Sequence, residues 1–270
     1  MRVLCLHGHG TSAAIFQSQS VAFRSKLDDS YEFDFVDAPF RSAPAPGADG
    51  IWKSGNYTWW PQTTIQAIRA AHLWVEEYID QHGPYDAVCC FSQGCSLIGS
   101  YLLYHAKESP DTPLPFKAAV FICGGMPLAV LEDLGLPVPQ RAKDLNERTS
   151  KVLQKRTHLL RELVGDIDKI QPGVGLWDNT SDLLHDPSKL PPASDTFGLD
   201  FTSFPQDVRI RIPTAHIYGS KDPKWPSSIQ LAYFCNNRTM FDHGGGHDIP
   251  RSTAVSVRIA EMLKQLANGV

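Results

Sequence analysis

PYDAVCCFSQGCSLIGSYLLYHAK, residues 84–107, contains a short apolar run, a polar turn and a periodic apolar pattern in direct succession. Residues 87–91 are all apolar, as in a strand that is buried on both faces. After Gln93, apolar residues recur at the spacing of a helix face, at Leu97, Ile98, Tyr101, Leu102 and Leu103. The pattern therefore predicts a strand, a sharp turn at Ser92 and a helix.

The turn has the composition of a nucleophile elbow, in which a strained strand-to-helix corner exposes a serine above a sheet. The usual pattern is G-x-S-x-G, and here it is Cys90-Phe91-Ser92-Gln93-Gly94. The second glycine is present, whereas a cysteine, also small and apolar, replaces the first. Taken alone, a serine in this position is more often a helix cap or a turn residue. The function of Ser92 must therefore be judged from the rest of the chain.

Strand patterns alternate with helical patterns along the chain, which predicts an α/β fold with a doubly wound, mostly parallel sheet of about six strands. In such sheets, ligands bind beyond the carboxyl ends of the strands. The predicted strands span residues 2–6, 31–36, 87–91, 118–122, 214–218 and 238–241, and the predicted helices span about 13–27, 63–82, the segment after Gln93, 227–234 and 253–267.

Residues 126–212 interrupt this alternation, where only a short connection is needed. Prolines are frequent in this segment, and one basic amphipathic helix is expected at about 143–164. Residues 172–207 show little periodicity. With 270 residues, of which 42% are hydrophobic, the chain can bury one sizeable core. We therefore expect a single domain, residues 1–270, with a cap insertion at about 126–212.

Composition excludes several classes of partner. The formal net charge is -4 and the estimated pI is 6.2, so no nucleic-acid footprint is expected. The chain starts with MRVLCLHG, and no apolar run approaches the roughly 18 residues of a membrane span. We therefore expect a cytoplasmic protein. The six cysteines are interpreted as buried free thiols in a reducing compartment.

Three residues with complementary chemistry follow three predicted strands in the order Ser92, Asp222, His247. This is the chain order of an α/β-hydrolase triad, and the predicted topology brings all three to one edge of the sheet. A serine hydroxyl needs an imidazole to accept its proton and a carboxylate to orient that imidazole. Ser92, Asp222 and His247 are therefore the candidate catalytic residues, and this chemistry requires no cofactor.

An oxyanion formed at such a serine also needs donors. The backbone N–H of Gln93, at the start of the helix after the turn, is one candidate. The backbone N–H of His9, in the loop after the first strand, is the second.

The same region of the sequence also allows other interpretations. His243 and His247, with Asp222 and Asp248 nearby, are spaced like metal ligands. However, a His-x-x-x-His pair needs a helix, and the three glycines between these histidines favour a loop. Cys90 or Cys95 as nucleophile is disfavoured because both should be buried. No metal is therefore expected.

Residues 39–62 form a long segment without periodicity that is rich in proline and aromatic residues. Phe40, Trp59 and Trp60 are candidate substrate contacts, because an aromatic wall gains by burying methylene groups at about 0.8 kcal/mol each. The alternative is that these rings close the edge of the core.

Several motifs together give a specific resemblance: LCLHGHG, IFQSQS, FVDAPF, TWWPQ, CFSQG, GSKDP and HGGGHDIPR. The sequence resembles the serine hydrolase family of fungi and animals, which includes trans-acting thioesterases of fungal polyketide pathways. The resemblance is weak between about residues 126 and 205. It implies an α/β-hydrolase fold and the triad Ser92, Asp222 and His247.

The resemblance also implies a substrate class. Such family members take acyl groups from the phosphopantetheine thiol of a carrier protein, so we expect an acyl thioester or ester substrate and a polyketide synthase carrier protein as partner. The acyl group on Ser92 would be released by water, or by a hydroxyl of the same chain as a lactone. The alternatives are a general carboxylesterase for small esters and a noncatalytic ligand sensor with the same fold.

Overall fold

The structure, a computed structural model, describes residues 1–45, 55–165, 175–267 and 269. In chain order its strands and helices are β1 (Arg2–Leu6), α1 (Ala13–Gln19), α2 (Val21–Arg24), β2 (Glu32–Val36), β3 (Phe40–Arg41), β4 (Tyr57–Thr58), α3 (Ile65–His82), β5 (Ala87–Phe91), α4 (Gln93–Glu108), β6 (Ala118–Ile122), α5 (Leu128–Asp133), α6 (Gln140–Gly165), β7 (Thr214–Tyr218), α7 (Trp225–Phe234), β8 (Arg238–Asp242) and α8 (Thr253–Ala267).

Six strands form one parallel sheet in the order β2-β1-β5-β6-β7-β8. The expected α/β fold with a mostly parallel sheet is therefore confirmed. Because the strands are parallel, the loops that follow β1, β5, β6, β7 and β8 all leave from the same edge.

Both faces of the sheet are covered, which explains why the central strands β5 and β6 are apolar throughout. On one face, Leu6, Cys90 and Phe121 belong to a core with residues of α3 and α4. On the other face, Cys89 and Val120 belong to a core with residues of α1, α2 and α8. Alternate residues of each strand thus enter different cores.

The cysteines were expected to be buried free thiols, and the structure agrees. All six are free and buried: Cys5, Cys89, Cys90, Cys95, Cys123 and Cys235.

The predicted helix at 13–27 is divided at Ser20 into α1 and α2. The Ser20 hydroxyl donates to the carbonyl of Gln17 at 3.1 Å and accepts from Arg24 Nε at 3.0 Å. A serine that bonds to the backbone three residues earlier competes with the regular helical pattern, which accounts for the break.

The segment at 39–62 also differs from the expectation of an irregular loop, since its two ends pair as the short antiparallel ribbon β3–β4. Residues 46–54, in its middle, lie outside the described part. None of the described helices combines the length and apolarity that a membrane crossing requires.

In its described residues, the segment between β6 and β7 contains α5, α6 and two short 3-10 turns at Ala193–Asp195 and Gln206–Val208. The expected helix at about 143–164 is thus present as α6, which begins at Gln140. Residues 166–174 of this segment lie outside the described part.

Candidate active site

Ser92 occupies the corner between β5 and α4 in a strained conformation, with φ 52° and ψ -111°. Gly94 permits this corner, because a Cβ at that position would lie 2.3 Å from the Leu6 carbonyl oxygen. The Ser92 N–H donates to the Ile122 carbonyl at 3.0 Å, which ties the corner to β6. Cys90, in place of the usual first glycine, is fully buried in the core. A cysteine is therefore accommodated in this elbow.

The side chains of Ser92, His247 and Asp222 form a chain of hydrogen bonds. Ser92 Oγ lies 3.0 Å from His247 Nε2, and His247 Nδ1 lies 2.7 Å from Asp222 Oδ2. Asp222 has no exposed surface, while His247 is partly exposed. This relay can move a proton from the serine hydroxyl to an imidazole that a buried carboxylate orients.

The loops after β7 and β8 are held together tightly. The Lys221 N–H donates to the Gly245 carbonyl at 2.9 Å, and a Cβ at Gly219 would lie only 2.1 Å from the same oxygen. The Asp222 N–H donates back to the Gly219 carbonyl at 3.0 Å. The absence of a side chain at Gly219 therefore allows the aspartate loop and the histidine loop to approach each other.

The loop after β1 lies beside the serine. A Cβ at Gly8 would be 3.0 Å from Ser92 Cβ. His9, the next residue, is exposed, and its Nδ1 lies 3.1 Å from Thr58 Oγ1. Gln93 is the first residue of α4. The loop that carries His9 and the helix start that carries Gln93 thus flank Ser92, and the roles of their N–H groups as oxyanion donors stay predictions.

His7 shapes this loop, a role that sequence reasoning missed. Its Nε2 accepts from the Ala38 N–H at 3.1 Å, so its Nδ1 carries the proton and donates to the Gly8 carbonyl at 2.7 Å. Burial lowers the pKa of His7, which keeps the ring neutral. In the sequence, the only local indication of this role was the position of His7 directly after a buried strand.

A cleft of about 360 Å³ opens at Ser92 and His247. Its described lining includes residues of the segment between β6 and β7, namely Met126, Pro127, Asn146, Ser150, Leu153 and Gln154. It also includes Lys224, which follows Asp222 by two residues. Local sequence patterns did not single out these residues, because the face of α6 that meets the sheet edge depends on tertiary packing.

The three aromatic residues expected to contact substrate occupy three different environments. Trp60 lines the cleft. Trp59 is 0% exposed, and its Nε1 donates to the His7 carbonyl at 2.8 Å, so it closes the core edge instead. Phe40 is 44% exposed on the β3–β4 ribbon and is not among the described lining residues. Of the three, only Trp60 is among the described lining residues of the cleft, and contact between these rings and a substrate stays a prediction.

The Gln93 side chain links the elbow to the aromatic segment. Its Oε1 accepts from the Trp59 N–H at 3.2 Å and lies 3.1 Å from Thr58 Oγ1. The Gln93 side chain thus has structural partners, and the Gln93 main chain begins α4.

The geometry does not favour the two alternatives, a cysteine nucleophile and a metal site. Cys90 and Cys95 are fully buried, and desolvation raises the pKa of each thiol well above its usual range, so the nucleophilic thiolate is disfavoured. Within the described ranges, no three His, Cys, Asp or Glu side chains are grouped closely enough to hold a metal ion.

A parallel sheet whose central strand turns sharply into a helix at a serine is the architecture of the α/β-hydrolases, and this chain has that fold. The family model described as "Serine hydrolase (FSH1)" matches residues 1–259. The chain therefore belongs to this serine hydrolase family.

Similar proteins include esterase alnB of Emericella nidulans, 31% identical over 283 aligned positions that cover 96% of this chain and 93% of the relative. Esterase FPY3 of Fusarium mangiferae is 28% identical over 258 positions, covering 93% of this chain and 89% of the relative. Among solved structures, a mutant epoxide hydrolase from Bacillus megaterium is similar with a TM-score of 0.52 at 12% identity, covering 99% of this chain and 93% of that one. The latter similarity concerns the fold alone.

Proposed function

We propose that this serine hydrolase cleaves acyl esters and thioesters through an acyl-enzyme on Ser92. The observation that carries the proposal is the relay in which Ser92 Oγ lies 3.0 Å from His247 Nε2 and His247 Nδ1 lies 2.7 Å from the buried Asp222 carboxylate. The first distance is short enough for proton transfer from Ser92 to His247, and the second is short enough for Asp222 to orient the imidazole. Neither requires a rearrangement.

In the first half-reaction, His247 Nε2 accepts the proton of Ser92 while Oγ attacks the substrate carbonyl carbon. The tetrahedral oxyanion accepts hydrogen bonds from the backbone N–H groups of Gln93 and His9. Asp222 stabilises the imidazolium, which then protonates the departing alcohol or thiol as its bond to the acyl carbon breaks. The product is the acyl-enzyme.

In the second half-reaction, His247 accepts a proton from the incoming nucleophile, which attacks the acyl carbon. The imidazolium then returns a proton to Ser92 Oγ as the bond between Oγ and the acyl carbon breaks. With water as nucleophile the product is a free acid, and with a hydroxyl of the acyl chain it is a lactone. Exclusion of water favours the lactone. The cleft volume of about 360 Å³ accommodates an acyl chain of moderate length beside Trp60, Met126 and Leu153.

The finer proposal is a trans-acting thioesterase that releases a polyketide acyl chain from a synthase carrier protein. It is supported by the likeness to fungal esterases and by apolar side chains in the cleft. The segment at about 126–212 would act as a cap over that chain, because residues of α6 line the cleft. The free, buried cysteines fit a reducing compartment such as the cytoplasm.

Replacement of the proposed nucleophile tests the mechanism directly. Ser92→Ala should lower turnover on the order of 10⁶-fold while leaving ligand binding largely intact, since only the attacking group is removed. A fluorophosphonate probe should label Ser92 in the folded wild-type protein, and mass spectrometry of the tryptic peptide locates the adduct. No adduct on Ser92 would instead support a noncatalytic ligand sensor.

Substrate preference tests the finer proposal. A long acyl thioester of phosphopantetheine and a short alkyl ester are compared by kcat/KM on the same preparation. We expect the long thioester to be preferred, because its chain buries methylene groups in the cleft. Preference for the short ester would support a general carboxylesterase.

A further inference from the structure

Lys224 carries an ammonium group into the substrate cleft. Its main-chain N–H donates to Asp222 Oδ1 at 2.7 Å, which fixes the residue next to the acid of the relay. Its side chain lines the same cleft as Ser92 and His247. The position of this cation is therefore set by the same loop that orients the histidine.

In the described part of the chain, the ammonium group contacts neutral oxygen atoms of α6. Nζ lies 2.6 Å from Asn146 Oδ1 and 3.1 Å from Ser150 Oγ. Two longer contacts, each of 3.5 Å, join it to the Asn146 carbonyl and to Thr149 Oγ1. Within the described ranges, no carboxylate oxygen lies within 4.0 Å of Nζ.

Other lysines near the cleft are paired differently. Lys221, three residues earlier on the same loop, contacts Asp178 at 2.9 Å, and Lys143 on α6 contacts Glu132 at 2.5 Å. Lys224 is more enclosed than either, yet its contacts in the described structure are neutral. Burial lowers its pKa to about 8. The group is thus still mostly protonated at neutral pH, although enclosure disfavours its charge.

The hydrogen-bond partners of this cation are neutral, and the Asp222 carboxylate acts on it through space, so an anion that reaches it from the open side stabilises it further. Here the open side is the substrate cleft. Asn146, Ser150 and Leu153 lie at i, i+4 and i+7 on α6, so they share one helix face along that cleft. An acyl chain that lies along this face contacts the apolar Leu153 side chain at one point and the Lys224 ammonium group at another.

We propose that Lys224, with Asn146 and Ser150, forms an anion-binding subsite that selects acyl groups bearing a carboxylate. This inference rests on the proposed function, since it requires the acyl group of the Ser92 ester to occupy the cleft. The subsite therefore narrows the substrate class to acyl chains with an apolar portion and an anionic oxygen.

The test compares two substrates with the same leaving group: a thioester of a dicarboxylic acid with one free carboxylate, and the thioester of the monocarboxylic acid of equal chain length. The specificity ratio is kcat/KM for the carboxylate-bearing substrate divided by that for the neutral one. Lys224→Met should lower this ratio about 10- to 100-fold, as expected for loss of a charged hydrogen bond. Lys224→Arg, which keeps the charge, should retain most of the ratio.

Lys221→Met is the matched control, because it removes a cation from the same loop outside the cleft. It should leave the ratio unchanged. An equal ratio in the wild-type protein, Lys224→Met and Lys221→Met would overturn the subsite.

A measurement on the wild-type protein covers the case in which Lys224→Met does not fold. A dicarboxylic acid and its monoamide, of equal chain length, are compared as competitive inhibitors, so that both offer one carboxylate to the triad and differ only at the far end of the chain. At least about tenfold tighter inhibition by the diacid supports the subsite, and equal inhibition overturns it. Fluorophosphonate labelling of Ser92 and turnover of the neutral thioester, on the same preparation, report separately on the proposed function.

Discussion

At the scale of single residues, Asp222 uses its two carboxylate oxygens for two different partners. Oδ2 faces His247 Nδ1 at 2.7 Å, and Oδ1 accepts from the Lys224 N–H at 2.7 Å. Because Asp222 has no exposed surface, water cannot replace either partner. The main-chain donor therefore fixes the orientation of the carboxylate toward the histidine.

Asp222→Asn should reverse the hydrogen-bond polarity at His247. The Lys224 N–H needs an acceptor, so the asparagine carbonyl takes the place of Oδ1 and the amide NH₂ faces Nδ1. Nδ1 then accepts, Nε2 carries the proton, and the ring can no longer receive a proton from Ser92. We expect kcat to fall about 10⁴-fold, measured by steady-state hydrolysis of an activated ester.

Asp248→Asn provides an isosteric control on the histidine loop. The hydrogen bonds of the two His247 ring nitrogens go to Asp222 and Ser92, and Asp248 Oδ1 is buried without a hydrogen-bond partner among the described residues. We expect less than about a tenfold change in kcat. Equal losses in the two variants would contradict the assignment of Asp222 as the orienting acid.

At the scale of elements, one arginine fastens α6 to the site. Arg156 is 4% exposed, and it donates to the Lys221 carbonyl at 3.2 Å and to the Asn179 carbonyl at 2.6 Å. It also forms an ion pair with Asp182. Since Lys221 adjoins Asp222, this side chain connects the helix that lines the cleft with the loop that holds the acid.

Arg156→Lys should loosen this connection while keeping the charge. A single ammonium cannot reproduce the planar fork that reaches acceptors on two loops. We expect the free energy of unfolding to fall by about 1–3 kcal/mol. We also expect KM for a long acyl substrate to rise, with kcat reduced less. Chemical denaturation and steady-state kinetics measure the two effects.

Arg148→Lys, at an exposed position of the same helix, is the control and should change neither quantity. If Arg156→Lys lowered kcat but left KM and stability unchanged, the arginine would act on the chemistry and not on the placement of α6.

At the scale of the whole molecule, the sheet encloses a histidine that must stay neutral. His216 on β7 is buried, its ring lies 5.2 Å from that of Phe121, and its Nε2 lies 3.1 Å from Thr214 Oγ1. Burial lowers its pKa to about 3. In the unfolded chain the His216 imidazole has an ordinary pKa of about 6.5. It therefore binds a proton at pH values at which the folded protein keeps it neutral.

This histidine should make the fold acid-sensitive. Its contribution to stability is fully present above pH of about 6.5 and is lost as the pH falls toward 3, by at most about 1.4 kcal/mol per pH unit. His216→Gln removes the titrating group, so its free energy of unfolding should depend less steeply on pH between 4 and 6 than that of the wild-type protein. Urea unfolding at several pH values measures both slopes.

His158→Gln is the control, because it removes a histidine whose side chain is 66% exposed. Its free energy of unfolding should depend on pH as steeply as that of the wild-type protein. A wild-type slope in His216→Gln as well would show that the acid sensitivity arises elsewhere.

Much of the scaffold was predictable from local patterns. The strands at 2–6, 87–91, 118–122 and 214–218 agree with the structure to the residue, because each is a short, mainly apolar run, as is typical of strands buried on both faces. The elbow was predictable despite Cys90, since Gly94 is the residue whose missing side chain the corner requires. Ser20 and the β3–β4 ribbon were missed, because a side-chain bond and a pairing across a long segment leave no periodic signal.

The sequence by itself determined the order of strands and helices, the corner at Ser92 and the order in which Asp222 and His247 follow it, because each depends on neighbouring residues. Tertiary structure alone decided that Trp60 faces the cleft while Trp59 does not, and that Lys224 meets Asn146 across 78 positions of the chain. Such contacts arise where distant segments pack together, and the free energy of burying a charge or a ring depends on what surrounds it.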